Sequence, residues 1–382
     1  MHEHAPRRVS CHGPCLGDLL GEAAWDSSLG RWHWPVDRCN HSHHSSSSLR
    51  RVLAASSVSS IKIVGDSVLR RFYFTLVAML KGEGRGSLPP NPAHGKIDPR
   101  VAGVAWYDDL PPALKHVKQH LSEHVKTGSG SLLVSFDWSP DPSMLARTLA
   151  SIDVAAWDSV IVNGGIWSLE HTFRSVSSTI GGGFWPGPVG STLGQVNLAR
   201  PFHIPFTVRR RFGDEITSVA DAYAEALANF SHRTYQHCTT RLHPRNQTHN
   251  TRRRGCAFPK LFYLELGGIG FDQDRIKQSD FYYYNFIDAF LAPRWRDAIR
   301  ARADDRWTLL PTQATLVANG NNCSHDFHGV HFLRQCRELY VHLFANALTT
   351  LQDHARRDRE GGAVSAQGCS QSLESLRRTV FW

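Results

Sequence analysis

The chain has 382 residues, of which 41% are hydrophobic and 20% charged, and 43 basic residues against 34 acidic ones give a net charge of +9. That balance is ordinary for a globular protein and excludes wholesale disorder, a collagen helix and a coiled coil. No run approaches the roughly 18 apolar residues of a membrane-spanning helix, and the positive surplus is too diffuse to define an acidic partner by itself.

Residues 1–58 read as an irregular lead-in rich in His, Ser and Trp, and within it the run His41–Ser48 (HSHHSSSS) reads as a solvated loop rather than a metal-binding tract. Order is expected to begin at Ile61-Lys62-Ile63-Val64, a short β-branched strand that stops at Gly65-Asp66-Ser67. Val68–Leu80 follows as a helix, terminated by Gly82, Gly84 and Gly86. Further strands are expected at 132–136, closed by Asp137-Trp138, at 159–162, closed by Asn163-Gly164-Gly165, and at 261–264 and 307–310. Helical spacing marks 144–152, 214–230 and about 332–351, while 176–206, with its GGGFWPGPVG, reads as a long surface loop. The polar tail 353–382 completes a three-part division: lead-in 1–58, catalytic domain 59–352, tail 353–382. Strands alternating with helices imply an α/β fold, a three-layer αβα sandwich around a mostly parallel sheet. Ligands of such sheets sit at the carboxyl ends of the strands.

Eight cysteines are spread through polar stretches without paired CxxC knuckles, and sequons occur at Asn40, Asn229, Asn246 and Asn322. Both features favour disulfides and glycosylation in the secretory pathway, the Golgi lumen or the exterior. Residues 1–13 lack the apolar run of a secretion signal. Either the chain is not secreted or its targeting segment lies outside this sequence, and the cysteines favour the second.

Ser67 follows a strand and opens a helix. A serine there is most often a cap, but free amides at a helix start also face a developing oxyanion. A serine nucleophile needs a base. The late segment Asn322–Phe332 carries three histidines, His325, His328 and His331, on a loop expected to reach the strand ends. No partner motif accompanies them, so no metal is assigned. Asp66 reads as a local turn residue. Arg70 reads as a substrate contact or a structural ion pair, and Trp138 and Trp167 as sugar-stacking or core residues. The triplets Arg209–Arg211 and Arg252–Arg254 read as solvated charge, and no helix-turn-helix or RNP signature supports nucleic-acid binding.

Ile61–Leu80 (IKIVGDSVLRRFYFTLVAML) resembles block I of the PC-esterase branch of the SGNH/GDSL hydrolase superfamily. That branch includes the trichome-birefringence-like polysaccharide O-acetyltransferases and the luminal domain of capsule and sialic-acid O-acetyltransferases. Arg31–Pro35 with Cys39 resembles its Trp- and Cys-containing lead-in, Val160–Trp167 (VIVNGGIW) its block III, and Gly329–Phe332 its terminal histidine block, so the likeness spans 31–350. The resemblance implies an SGNH-hydrolase-like fold and O-acetyl transfer or ester hydrolysis on a carbohydrate, without a cofactor. Ser67 is then the nucleophile and His331 the base, while Asn163 and Gly165 supply the oxyanion hole. The family's aspartate three residues before the histidine is here His328, which leaves Asp326 as the nearest orienting carboxylate. A second alignment makes His325 the base and puts Asn322 in the acid's place. The partners implied are a glycan and an acyl donor. The alternative is an inactive relative that keeps the fold and binds glycans.

Overall fold

The structure is a computed structural model, and it describes residues 24–26, 28–29, 31–34, 41–82, 120–127, 130–165, 167–169, 172, 206–242, 258–265, 291–302, 306–310 and 334–359. A two-stranded hairpin, β1 (Ala24–Asp26) and β2 (Arg31–His33), precedes the main body. The main sheet has six strands: β3 (Ser60–Gly65), β4 (His120–Thr127), β5 (Gly130–Trp138), β6 (Ser159–Val162), β7 (Lys260–Leu264) and β8 (Trp307–Leu310). Their order is β4-β5-β3-β6-β7-β8; every neighbouring pair is parallel except the β4–β5 hairpin at one edge. The helices are α1 (Ser46–Ala55), α2 (Ser67–Lys81), α3 (Pro142–Ser151), α4 (Phe206–Leu242), α5 (Ala292–Arg302) and α6 (Arg334–Arg359).

Two apolar cores lie on opposite faces of the sheet, because successive strand side chains alternate between faces. Ile61 and Ile63 point with Phe136 and Phe262 into the core shared with α1, α2 and α6. Val64, Val160 and Val162 point into the core shared with α3, α4 and α5. The fold is therefore the expected α/β three-layer sandwich with a mostly parallel sheet. The β3 strand is buried along its whole length, and that accounts for its unbroken apolar reading. A fully buried side chain such as Phe72 or Leu227 contributes about 2 kcal/mol relative to exposure.

One charged residue breaks the β3 pattern. Lys62 is 5% exposed; its Nζ lies 2.7 Å from Asp137 Oδ2, donates to Ser135 Oγ at 3.0 Å and sits 5.2 Å from the Trp157 ring centroid. The other Asp137 oxygen is hydrogen-bonded to His120 Nδ1 at 2.5 Å, so one carboxylate ties β3, β5 and the edge strand β4 together. At the amino ends of β3 and β6, Asp158 Oδ2 accepts from the amides and hydroxyls of Ser59 and Ser60.

The lead-in is more ordered than its composition suggests. Ser45 caps α1 by accepting from Ser48 N at 3.2 Å, and Leu49 and Leu53, four apart, bury its inner face. The His41–Ser45 segment is only partly solvated: His44 is buried and His41 and His43 partly so, while Ser42 and Ser45 are exposed. Asn346 of α6 accepts from Ser42 N at 3.1 Å and donates back to Ser42 O at 3.2 Å, while His44 Nε2 bonds its Oδ1 at 2.8 Å. His44 N donates to His342 Nδ1 at 3.2 Å, and the Trp34 ring packs edge-on against His41 and His342. Burial, reinforced by the charge of His44, lowers the His41 imidazole from 6.5 to about 4, and burial lowers that of His44 as well.

Candidate active site

Numbered by chain order alone, the five parallel strands run second, first, third, fourth, fifth across the sheet (β5-β3-β6-β7-β8). The connections therefore leave β3 on one side and return to β6 on the other. The carboxyl ends of that pair are the topological switch point, the place where doubly wound sheets have their ligand crevice. Ser67 lies two residues past the end of β3 and Asn163 directly follows β6, so the fold brings these two sequence-predicted residues to one switch point.

The strand ends meet backbone to backbone. Asn163 N donates to Val64 O at 3.2 Å, and a Cβ at Gly65 would lie 2.7 Å from Asn163 O and 3.0 Å from Leu69 Cδ1. Glycine is needed here for this close approach. Asp66 is fully buried and caps α2, accepting from Val68 N at 2.9 Å through Oδ1. Its role as a local turn residue is as read from the sequence. Desolvation raises its carboxyl to about 6, opposed by the Val68 and Leu69 amides and by Arg70. Ser67, the first residue of α2, is 4% exposed. The opening amides of α2 surround it with the positive end of the helix.

Asn163 is fully buried; its Nδ2 donates to Leu264 O at 2.8 Å. A side-chain amide carries two N–H bonds, so one remains for a second acceptor. Gly164 and Gly165 are set by aromatic rings that the sequence reading did not single out. A Cβ at Gly164 would lie 2.1 Å from Tyr223 Cε1. Gly165 has φ 128°, in the region that favours glycine, and a Cβ there would lie 2.8 Å from the Trp295 ring. Tyr263 donates its hydroxyl to Gly164 O at 3.3 Å and receives Trp295 Nε1 at 3.0 Å. Burial raises the phenols of Tyr223 and Tyr263, so both are neutral. Only long-range packing reveals this bracket; each ring is an ordinary apolar position of its own helix or strand.

Arg70 lies one turn beyond Ser67 on α2 and is half-buried, its guanidinium carbon 5.2 Å from the Trp138 ring centroid. Burial and then the charge of Arg71 lower its pKa to about 10, which keeps it cationic at neutral pH. Trp138 ends β5 opposite Gly65 and meets Trp167 edge to face, with centroids 6.3 Å apart at 73°. Trp138 is 9% exposed and packs in the core. With a guanidinium over its ring it acts as a support, not as an open sugar floor. Trp167 is partly buried, and its Nε1 has no hydrogen-bond partner among the described residues.

His325, Asp326, His328 and His331 lie outside the described residues, as do Arg252–Arg254. Arg210 and Arg211 are exposed on α4, with Arg210 3.7 Å from Asp214. Cys238, also on α4, is disulfide-bonded. Among the described residues no group of His, Cys, Asp and Glu is arranged to hold a metal ion, and no helix is long and apolar enough to cross a membrane.

The strand order defines a doubly wound α/β protein with a serine at the head of the helix that follows the first parallel strand. Comparison with protein-family models, curated proteins and solved structures returned no match.

Proposed function

We propose that the protein is an SGNH-type O-acyl, chiefly O-acetyl, transferase or esterase acting on a carbohydrate in the secretory pathway or outside the cell. The observation that carries this reading is the position of Ser67, at the amino end of α2 and two residues past Gly65, which packs against Asn163 at the end of the neighbouring strand. Ser67 Oγ attacks the acyl carbonyl as its proton passes to an imidazole of the late loop, His331 or its alternatives His325 and His328, with Asp326 as orienting carboxylate. The carbonyl oxygen takes up the negative charge between the Ser67 and Gly165 amides and the remaining Asn163 N–H. Collapse expels the first alcohol, which takes the proton from the imidazole and leaves an acyl-serine. A sugar hydroxyl then accepts the acyl group in transfer, or water in hydrolysis, and the imidazole takes and returns one proton again. The partners are a glycan and an acyl donor; the chemistry calls for no cofactor.

The test is turnover of para-nitrophenyl acetate by wild type, Ser67→Ala, His331→Ala and His325→Ala. Ser67→Ala and one histidine variant are expected to lose about 10³-fold or more. Equal turnover by all four proteins overturns the assignment. The low exposure of Ser67, 4%, favours one rival, a glycan-binding protein that keeps the fold without the chemistry. That rival predicts no ester turnover and unchanged glycan affinity in Ser67→Ala.

A further inference from the structure

We propose that the lead-in is a pH-sensitive strap: residues 31–34 and 41–45 dock on α6 while His43, His44 and His342 are neutral, and release as these imidazoles take up protons. This device stands apart from the acyl-ester reading. The three rings form one cluster between the lead-in and α6. The centroids of His43 and His342 are 4.2 Å apart, and those of His44 and His342 6.0 Å. His44 and His342 are buried and His43 is half-buried.

In each ring the atom that would take the proton, Nδ1, is closed to it. A ring nitrogen that accepts an N–H carries no hydrogen of its own. His342 Nδ1 accepts the His44 amide at 3.2 Å, and His43 Nδ1 accepts the Trp32 amide at 3.4 Å. Protonation there sets donor against donor and breaks two main-chain links of the strap. His44 is closed in another way. The Ser42 backbone, bonded to both ends of the Asn346 amide, fixes Oδ1 as an acceptor. His44 Nε2 is therefore the donor to it, and Nδ1 is the bare nitrogen. That Nδ1 is buried with no hydrogen-bond partner among the described residues, so a proton gained there is a buried charge with nothing to bond. Burial lowers the His44 pKa in agreement. Two imidazolium charges at His43 and His342 would also repel each other. The elements packed around the cluster offset little of this. Arg31 of β2 is exposed, Arg50 of α1 donates to Leu80 O, and the buried charges within α2 and α6 are Arg71, Arg337 and Glu338. Glu338, one turn before His342, is the one acid among them and balances one imidazolium at most. His41, whose charge is coupled to that of His44, adds a fourth imidazole that burial lowers to about 4.

An imidazole that must be neutral to dock, and titrates near 6.5 once released, contributes fully above that pH and less as the pH falls. Between pH 7 and pH 5 docking then weakens by about 25-fold for each imidazole so held. The experiment is hydrogen exchange of the full chain read by mass spectrometry, with rates corrected for the intrinsic pH dependence of exchange. Protection of the 31–45 peptide is expected to fall at least about 25-fold from pH 7 to pH 5, while that of the β3 peptide 60–65 stays nearly level. His342→Asn offers Oδ1 to the His44 amide, and His44→Gln offers an N–H to Asn346, neither of them titrating. Each should keep the strap docked at pH 7 and make the fall about 25-fold smaller. An equal fall in the strap and in β3, no fall, or the same fall in wild type and both variants overturns the proposal. Should a variant undock at pH 7, the ring proton signals of the wild-type histidines decide. Signals lost in the variants that titrate near 6.5 in wild type while 31–45 stays protected would overturn it; signals that shift only as that protection is lost support it.

Discussion

Gly164→Ala tests whether the Tyr223 ring truly sets the turn at the end of β6. The added Cβ would stand 2.1 Å from Cε1, 2.2 Å from the hydroxyl oxygen and 2.3 Å from Cζ of Tyr223. Relief to an ordinary contact requires a displacement of about 1.5 Å. The ring has no room for it: Tyr223 is fully buried and meets Trp295 edge to face at 4.9 Å. Overpacking of this kind costs about 3 kcal/mol, the upper part of the usual range, or more than 100-fold in the folded-to-unfolded ratio. Tyr223→Leu alone costs about 2 kcal/mol through lost packing. It also empties the volume that the new methyl needs, so the double variant should be at least about 1 kcal/mol more stable than the sum of the two losses. Gly65→Ala provides the contrast, because its 2.7 Å neighbour is the main-chain oxygen of Asn163, which Tyr223→Leu leaves in place. Equilibrium unfolding in urea, followed by tryptophan fluorescence, gives all five free energies. Strict additivity of Gly164→Ala with Tyr223→Leu, or a harmless Gly164→Ala, would refute the argument.

Two further outcomes follow from the buried polar groups. Lys62→Ala leaves Asp137, 22% exposed, without its internal cation and should lose about 3 kcal/mol in urea unfolding. Lys62→Met with Asp137→Leu should recover most of it, and a single-variant loss under about 1 kcal/mol would contradict the role given to the pair. His41 has a folded-state pKa below its unfolded value, so its contribution is present above 6.5 and is lost as the pH falls toward about 4. Urea midpoints measured from pH 7 to pH 4 should decline less in His41→Phe than in wild type, and parallel declines would rule the imidazole out as a source of acid sensitivity.

The parallel strands were legible because each is a short apolar run bounded by turn residues, and all five lie where that pattern places them. The β4 strand was not, since HLSEHVKT at the sheet edge buries little beyond Val125 and needs no β-branched run. Helix α1 was hidden by its serine run; only the i, i+4 pair Leu49 and Leu53 faces inward. Helix α5 buries Ala292, Trp295 and Ile299 in a sequence otherwise dominated by arginine. At the crevice, Ser67, Asn163, Gly165, Arg70 and Trp138 could be read because strand ends and glycine turns mark themselves locally. The bracket of Tyr223, Tyr263 and Trp295 could not, because it joins three separate elements, and nothing local distinguishes a tyrosine that positions a turn from one that fills a core.

The hydrogen bond from Ser42 to Asn346 joins residues 304 apart in the chain. Closing a loop of that size costs about 5 kcal/mol in chain entropy beyond a constant term. On the ribosome, at about 5–20 residues per second, roughly 15–60 s separate the synthesis of its two ends. Through that interval Trp34, His44 and the inner face of α1 have no α6 to rest on, so the nascent protein carries an unmated surface until α6 is synthesised.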